Sequence, residues 1–327
     1  MPYLDAFNRP ISYLRVSVTD RCNLRCIYCM PPEGVPTRRH EEILRYEEFE
    51  KVVRAASSLG ISKVRLTGGE PLVRKGILDL VHRLASIQGI DDLAMTTNGT
   101  LLARWAYDLK EAGLKRVNVS LDTLRPERFR LITRLGNLSD VLEGIEVARR
   151  AGLTPIKINT VVIRGMNEDE VVDFARLTLD GDWHIRFIEL MPIGRQLSSD
   201  SRFVSAGEVR RRIESALGKL EPAKMGVGGG PARYYRLRGA RGTIGFITPI
   251  SEHFCYRCNR LRLTADGRLR PCLLSDYEID LRSPLRRGAG IEEIRALIVE
   301  GIGSKPPHHR LSEMVRPRER AMSEIGG

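Results

Sequence analysis

ISYLRVSVTDRCNLRCIYCM, residues 11–30, decides how the rest of the chain is read. Its first half alternates as a strand does: Leu14, Val16 and Val18 share one face, and Arg15, Ser17 and Thr19 share the other. Its second half carries Cys22, Cys26 and Cys29 in the spacing CxxxCxxC. A structural zinc site usually takes four ligands, and small disulfide frameworks use even numbers of cysteines. Three thiols directly after a strand therefore point to a metal centre with one position open, and an open position is where chemistry can happen.

The 327 residues suffice for one large domain and a smaller one. Lys and Arg number 53 against 41 Asp and Glu, a net charge of +12. That excess favours an anionic partner: nucleic acid, a membrane surface or a phosphorylated small molecule. No apolar run approaches the roughly 18 residues of a membrane helix, and MPYLDAFNRP lacks the apolar region of a signal peptide. A cytoplasmic location without membrane contact is expected, where clustered thiols serve as metal ligands or catalysts. The 6 cysteines fall into two groups, residues 22, 26, 29 and residues 255, 258, 272.

Short strand-like runs alternate with amphipathic helical runs up to residue 190. The strand candidates are ISYLRVSV, SKVRLTG, DLAMTTN, RVNVSLD, PIKINTVVI and HIRFIELM. Strand alternating with helix implies a parallel sheet, and these units predict a barrel or part of one. In the second strand Lys63 and Arg65 share a face; in the third Thr96 opposes Met95; in the fourth Asn118 and Ser120 pair off, and in the fifth Lys157 and Asn159. A packed barrel would fill these positions with Val, Ile and Leu. Solvated edges are the plain alternative, but parallel strands are usually covered by helices on the outside. A cavity lined with donors and positive charge, suited to a polar anion, is the better reading.

Beyond residue 192 the alternation stops. A loop leads to a helix that starts at Ser205 with Glu208 in capping-box spacing. The Gly-rich connector MGVGGGPARYY holds the expected boundary between a domain of residues 1–229 and one of residues 230–327. RYYRLRG and GTIGFITP read as a hairpin. Then comes Cys255-x2-Cys258-x13-Cys272, again three thiols, with Arg260 and Arg262 flanking Leu261. Guanidinium forks beside such a site suit phosphate. Zinc completed by His40 in the first group, or by His253 in the second, remains the alternative for the metal.

CxxxCxxC with the aromatic of CIYC resembles the radical S-adenosylmethionine enzymes, and TGGEP resembles their glycine motif. The joint set DRCNLRCIYCMP, VRLTGGEPL, TTNG, NVSLDTL, KINTV, RFIELMPIG, FCYRCNRLRLTADGRLRPCL and the terminal Gly326-Gly327 resembles the GTP 3′,8-cyclase family. The resemblance runs from about Pro10 to the last residue. It implies an α/β fold: an incomplete (β/α)6 TIM-type barrel with a smaller C-terminal cluster-binding domain. It implies two [4Fe–4S] clusters, one on Cys22, Cys26 and Cys29 and one on Cys255, Cys258 and Cys272. S-adenosylmethionine would meet Tyr28, Gly69, Ser120 and Met191. GTP would meet Arg15, Arg65, Thr96, Lys157, Arg260, Leu261 and Arg262. Arg15, Gly326 and Gly327 would serve catalysis, although a frayed terminus is the commoner fate of such a tail. Lys63 shares the cavity face, while Arg186, which the resemblance makes a phosphate-contact candidate, has the wrong parity relative to Met191 unless a bulge or the strand end intervenes, and stands outside the firm set.

The activity so implied is radical cyclisation of GTP to (8S)-3′,8-cyclo-7,8-dihydroguanosine 5′-triphosphate, the first step of molybdenum-cofactor biosynthesis. A 5′-deoxyadenosyl radical would take hydrogen from ribose C3′, C3′ would bond to C8 of guanine, and an electron and a proton would quench the product. An external electron donor of flavodoxin type and a downstream cyclic pyranopterin monophosphate synthase are the implied partners, with a homodimer allowed. Rival readings are another radical S-adenosylmethionine enzyme with an auxiliary cluster and a zinc-bearing nucleic-acid-binding protein. The dispersed basic residues and the 6% aromatic content speak against nucleic acid.

Overall fold

The computed structural model describes residues 2–193, 200–226, 229–313, 317 and 320–326. A short N-terminal ribbon pairs β1 (Tyr3–Leu4) with β2 (Pro10–Ile11). The parallel strands follow as β3 (Tyr13–Ser17), β4 (Lys63–Thr67), β5 (Asp92–Thr97), β6 (Arg116–Ser120), β7 (Lys157–Val162) and β8 (His184–Glu189). They lie side by side in chain order. Helices α1 (Tyr46–Ser58), α2 (Ile77–Ala85), α3 (Leu102–Glu111), α4 (Pro126–Thr133), α5 (Leu138–Arg150) and α6 (Val171–Asp180) connect them. This is the partial (β/α)6 barrel that the alternation implies.

The strand faces divide as parity requires. Leu14, Val16, Val64, Leu66, Met95, Val117, Val119 and Ile158 are buried in the apolar core beneath the helices. In α1 the same core takes Phe49, Val52, Val53 and Ala56, an i, i+3, i+4, i+7 stripe. α3 stops where Gly113 turns the chain at φ +102°, a conformation that side chains resist. The opposite strand faces turn inward, and register aligns them: Arg15 stands beside Arg65, and Asn118 beside Lys157.

The C-terminal part extends this sheet at both edges. α7 (Ala206–Leu217) begins at Ser205, whose hydroxyl accepts from Glu208 N at 3.2 Å. β9 (Leu220–Ala223), β10 (Arg233–Leu237) and β11 (Thr243–Ile247) follow, with β10 antiparallel to both neighbours and β11 parallel to β8. The boundary expected at residue 229 lies in the connection between β9 and β10, so hydrogen bonding continues across it. At the far edge β12 (Arg260–Leu263) runs parallel to β3, followed by β13 (Arg268–Arg270) and β14 (Ile279–Asp280). α8 (Arg282–Arg286) and α9 (Ile291–Gly303) back this edge, and α10 (Met322–Ile325) ends the described chain. The register sets Arg262 beside Arg15, so three arginines stand in one row on β12, β3 and β4.

Phe49 is fully buried, with the Arg74 guanidinium 5.2 Å from its ring centroid. Phe49→Ala is expected to cost about 3–5 kcal/mol, read as a lowered urea midpoint at unchanged slope. An unchanged midpoint would contradict this account of the core.

Candidate active site

The cysteine loop after β3 is held from two sides. On the outer side Arg25 N donates to Thr133 O and Ile27 N to Ile132 O, both at 2.9 Å. Arg134 adds bonds to Arg25 O and Met30 O at 2.9 and 3.0 Å. On the inner side the TGGE turn pairs with the loop's entry: Gly69 N donates to Thr19 O at 2.8 Å, and Glu70 N to Arg21 O at 2.9 Å. The approach is so close that a Cβ on Gly69 would lie 2.2 Å from the Arg21 carbonyl oxygen. Only glycine fits there.

Glu70, the acidic residue of that motif, is buried behind the cavity wall. Its carboxylate accepts from Leu72 N, Thr97 Oγ1 and Asn98 N at 3.1, 2.8 and 2.7 Å. Burial pushes its carboxyl up to about 7, against the pull of these bonds. Glu70 thus ties the glycine turn to the TTNG loop. Asn98 continues the chain by donating to Asn23 Oδ1 at 2.8 Å, inside the cysteine loop.

Cys22, Cys26 and Cys29 are half-buried and face one cavity. Burial pushes the Cys22 thiol up to about 11, and burial together with Cys29 and Asp122 holds Cys26 well above its usual value. Thiolates so disfavoured in isolation form against a metal, and three sulfurs from one loop are the donor set of an iron–sulfur cluster. Among the described residues no three His, Cys, Asp or Glu side chains converge closely enough for a single metal ion.

The second group is braced by two buried cations. Cys255 opens a short turn in which Cys258 N donates to Cys255 O at 3.1 Å. Lys305 Nζ donates to Arg260 O and Pro271 O, both at 2.8 Å, joining the segments that carry Cys258 and Cys272. Arg9, paired with Asp5 at 2.6 Å, donates to Cys255 O at 2.8 Å and to Pro306 O at 2.8 Å. Burial raises the Cys258 thiol, but the Arg260 and Lys305 charges outweigh it and bring it down to about 6. This donor set, too, fits an iron–sulfur cluster.

Both cysteine groups open on the same cavity, with a cationic floor between them. Tyr28, Gly69, Ser120 and Met191 line the side of the first group, where Tyr28 OH donates to Asp122 Oδ2 at 2.6 Å. Arg15, Arg65, Thr96, Lys157, Arg260 and Arg262 line the rest. Arg65 donates to the Tyr13 hydroxyl and reaches Thr96 Oγ1 at 3.5 Å. Leu261 is fully buried in the core on the other face of β12, so only its backbone is available to a substrate. Gly326 is buried, and its carbonyl accepts from Arg262 Nη1 at 2.6 Å. Gly327 lies outside the described residues.

Two cavity residues stand outside the set read from the sequence. Arg186 lines the cavity, buried and with Nε and Nη2 lacking a hydrogen-bond partner among the described residues. Its parity against Met191 misleads because β8 ends at Glu189, and alternation does not extend past a strand's end. The in-register pairing of Arg186 with Asn159 would have identified it. Tyr13 shares the parity of Arg15 and was legible by the same rule. Lys63 sits at the other end of β4 from the glycine turn, beside Gly229, where an added Cβ would come within 2.9 Å of its Nζ.

The charges are costly to hold together. Burial, then Arg65, Arg260 and Arg186, press the Arg15 guanidinium down to about 9, with Tyr13 opposing. Burial likewise brings Arg186 to about 10, and burial with Arg186, Arg116 and Arg65 brings Lys157 to about 6. Arginine keeps its proton at neutral pH, so the cavity stays strongly positive. A polyanion relieves that strain.

Residues 16–178 match the Radical SAM superfamily, and residues 183–311 match Molybdenum Cofactor Synthesis C. A relative from Pelotomaculum thermopropionicum named GTP 3′,8-cyclase is 62% identical, the match covering 99% of this chain and 99% of that one. A second of that name, from Moorella thermoacetica, is 55% identical over 99% of each. Among solved structures, Streptococcus suis SuiB bound to the precursor peptide SuiA aligns with a TM-score of 0.61 over 89% of this chain and 68% of its own, at 12% identity. That likeness is one of fold.

The lowered Lys157 gives a pH signature. Near pH 8 its amine is largely neutral, and an arriving polyanion restores the charged form, so binding takes up a proton and tightens as pH falls towards about 6. Titration calorimetry with inorganic triphosphate, in buffers of different ionisation enthalpy, is expected to show about one proton less taken up by Lys157→Met than by the native chain. Equal uptake by both would remove Lys157 from the anion site.

Proposed function

The chain belongs to the GTP 3′,8-cyclase family, and on that premise we propose that it cyclises GTP to (8S)-3′,8-cyclo-7,8-dihydroguanosine 5′-triphosphate, the first step of molybdenum-cofactor biosynthesis. The observation that carries the reading is the single cavity with thiol sites at both ends and a buried cationic floor between them. A triphosphate supplies the negative charge that such a floor calls for.

In this reading Cys22, Cys26 and Cys29 hold one [4Fe–4S] cluster, and Cys255, Cys258 and Cys272 a second that faces the guanine. Residues 1–229 form the radical part, and residues 230–327 the auxiliary-cluster part. Bound at the first site, S-adenosylmethionine and its cluster supply a one-electron cleavage and hence a carbon radical able to take hydrogen from the ribose. The protein's share is placement and exclusion. Tyr28, Gly69, Ser120 and Met191 contact S-adenosylmethionine, with Gly69 bringing bare backbone to it. Arg15, Arg65, Lys157, Arg186, Arg260 and Arg262 fix the triphosphate and ribose, Thr96 held among them by Arg65. Leu261 contributes backbone only. Arg15 takes part in the quench of the product as well as in binding. Gly326 and Gly327 serve catalysis, and a side chain at Gly326 would strike Thr67.

An external donor of flavodoxin type supplies electrons, the product passes to an enzyme forming cyclic pyranopterin monophosphate, and a homodimer is compatible with this scheme. Among the described residues no helix is long and apolar enough to cross a membrane.

The test is anaerobic. The protein is reconstituted with iron and sulfide and given dithionite, S-adenosylmethionine and GTP, with mass spectrometry following the products. The expected result is 5′-deoxyadenosine together with a cyclised species that depends on GTP and is absent with ATP. Formation of 5′-deoxyadenosine with GTP left intact would sink the substrate assignment while keeping the radical chemistry.

A further inference from the structure

The route by which the chain reaches Gly326 is marked by one buried arginine. The Arg320 side chain is 9% exposed and bonds two carboxylates at once. It donates to Asp266 Oδ1 and Oδ2, both at 3.0 Å, and to Glu278 Oε1 and Oε2 at 2.6 and 2.8 Å. Both acceptors belong to the second cysteine segment: Asp266 stands on the turn between β12 and β13, and Glu278 lies between Cys272 and β14. Arg38, which follows the first cysteine loop, reaches Asp266 at 3.5 Å and Glu324 at 3.3 Å, while its own amide donates to Asp20 Oδ2 at 2.7 Å. Glu324 in turn caps Ala321 N at 2.9 Å.

What lies beyond this clamp cannot hold itself. α10 has 4 residues, far below the length at which a helix is stable alone. Its one fully buried apolar side chain, Ile325, joins a small cluster with Ile193 and Leu274. A chain end with so little packing frays unless it is tied down. Yet Gly326 sits at φ +79°, its carbonyl on Arg262, with Thr67 Cγ2 only 2.6 Å from where a Cβ would stand. Charge-assisted bidentate bonds in a buried setting have the geometric specificity to impose that position.

We propose that Arg320 is a positioning residue for the reaction: its clamp on Asp266 and Glu278, braced by Arg38, holds Gly326 against Arg262 and the glycine turn. The clamp also makes the tail's position depend on both cysteine segments, through Asp20 and Arg38 on one side and Asp266 and Glu278 on the other. This rests on the reading that the terminal glycines serve cyclisation, but its central test does not need activity.

Hydrogen exchange on the reconstituted full chain reads the tail directly. In Arg320→Ala the amides of residues 322–326 are expected to exchange at least about tenfold faster, with those of β4 to β7 unchanged. Arg320→Lys, which keeps the charge but not the fork, falls between. Glu324→Gln, which removes the charge facing Arg38 but keeps an oxygen that can cap Ala321 N, has the smaller effect. In turnover, Arg320→Ala and a chain lacking Gly326-Gly327 are expected to share one residual kcat, and combining them to lower it no further. Three results would each overturn the proposal: terminal amides as protected as in the native chain, fast exchange spread through β4 to β7, or a further loss of kcat in the combined variant. A native chain with no cyclase activity would end the functional reading and leave the exchange result to decide the clamp.

Discussion

Arg262, Arg15 and Arg65 stand in one register row on three neighbouring strands, with Lys157 and Arg186 on the same inner surface. Like charges set side by side in a sheet repel, and burial sharpens the repulsion. The fold tolerates the row because the apolar faces of the same strands are packed beneath the helices, and because tyrosine and threonine oxygens take up part of it. A protein keeps such a floor for a ligand that neutralises it. The sheet order, the placing of β12 beside β3 and the burial of Arg262 all follow from building that floor.

The two thiol sites are joined to this floor by backbone more than by side chains. The first is wedged between the end of α4 and the glycine turn, which Glu70 ties in turn to the β5 loop. The second is stitched by Lys305 and Arg9, whose charges sit on carbonyl oxygens rather than facing a ligand. Such bracing keeps a loop of cysteines in place when the thiols are not themselves bridged, so that they would present fixed ligands to a cluster. Placing both sites on one cavity then lets a single substrate lie between them.

Much of this was legible in the sequence. The inward set Arg15, Arg65, Thr96 and Lys157 followed from strand alternation, and both cysteine groups from spacing. These signals are local, and local rules carry them. The residues that escaped act across long separations. Lys305 joins carbonyls of residues 260 and 271, Arg9 meets residue 255, and Arg320 meets residues 266 and 278. No periodicity marks such partners. Arg186 was set aside for a different reason: its parity was judged against Met191, and β8 ends before that residue, at Glu189. Leu261 shows the converse: a motif names a run of residues, while the pleat sends its middle side chain into the core and leaves only backbone for a ligand.

The most direct measurement is thermal unfolding of the anaerobically reconstituted protein with GTP, inorganic triphosphate or guanosine at equal saturating concentration. If the cationic floor is the feature around which the cavity is built, GTP and triphosphate both raise the melting temperature, and guanosine contributes the smaller part. If guanosine stabilises as much as GTP and triphosphate does nothing, the charge row is not the substrate's anchor and the cavity must be read from its metal ends instead.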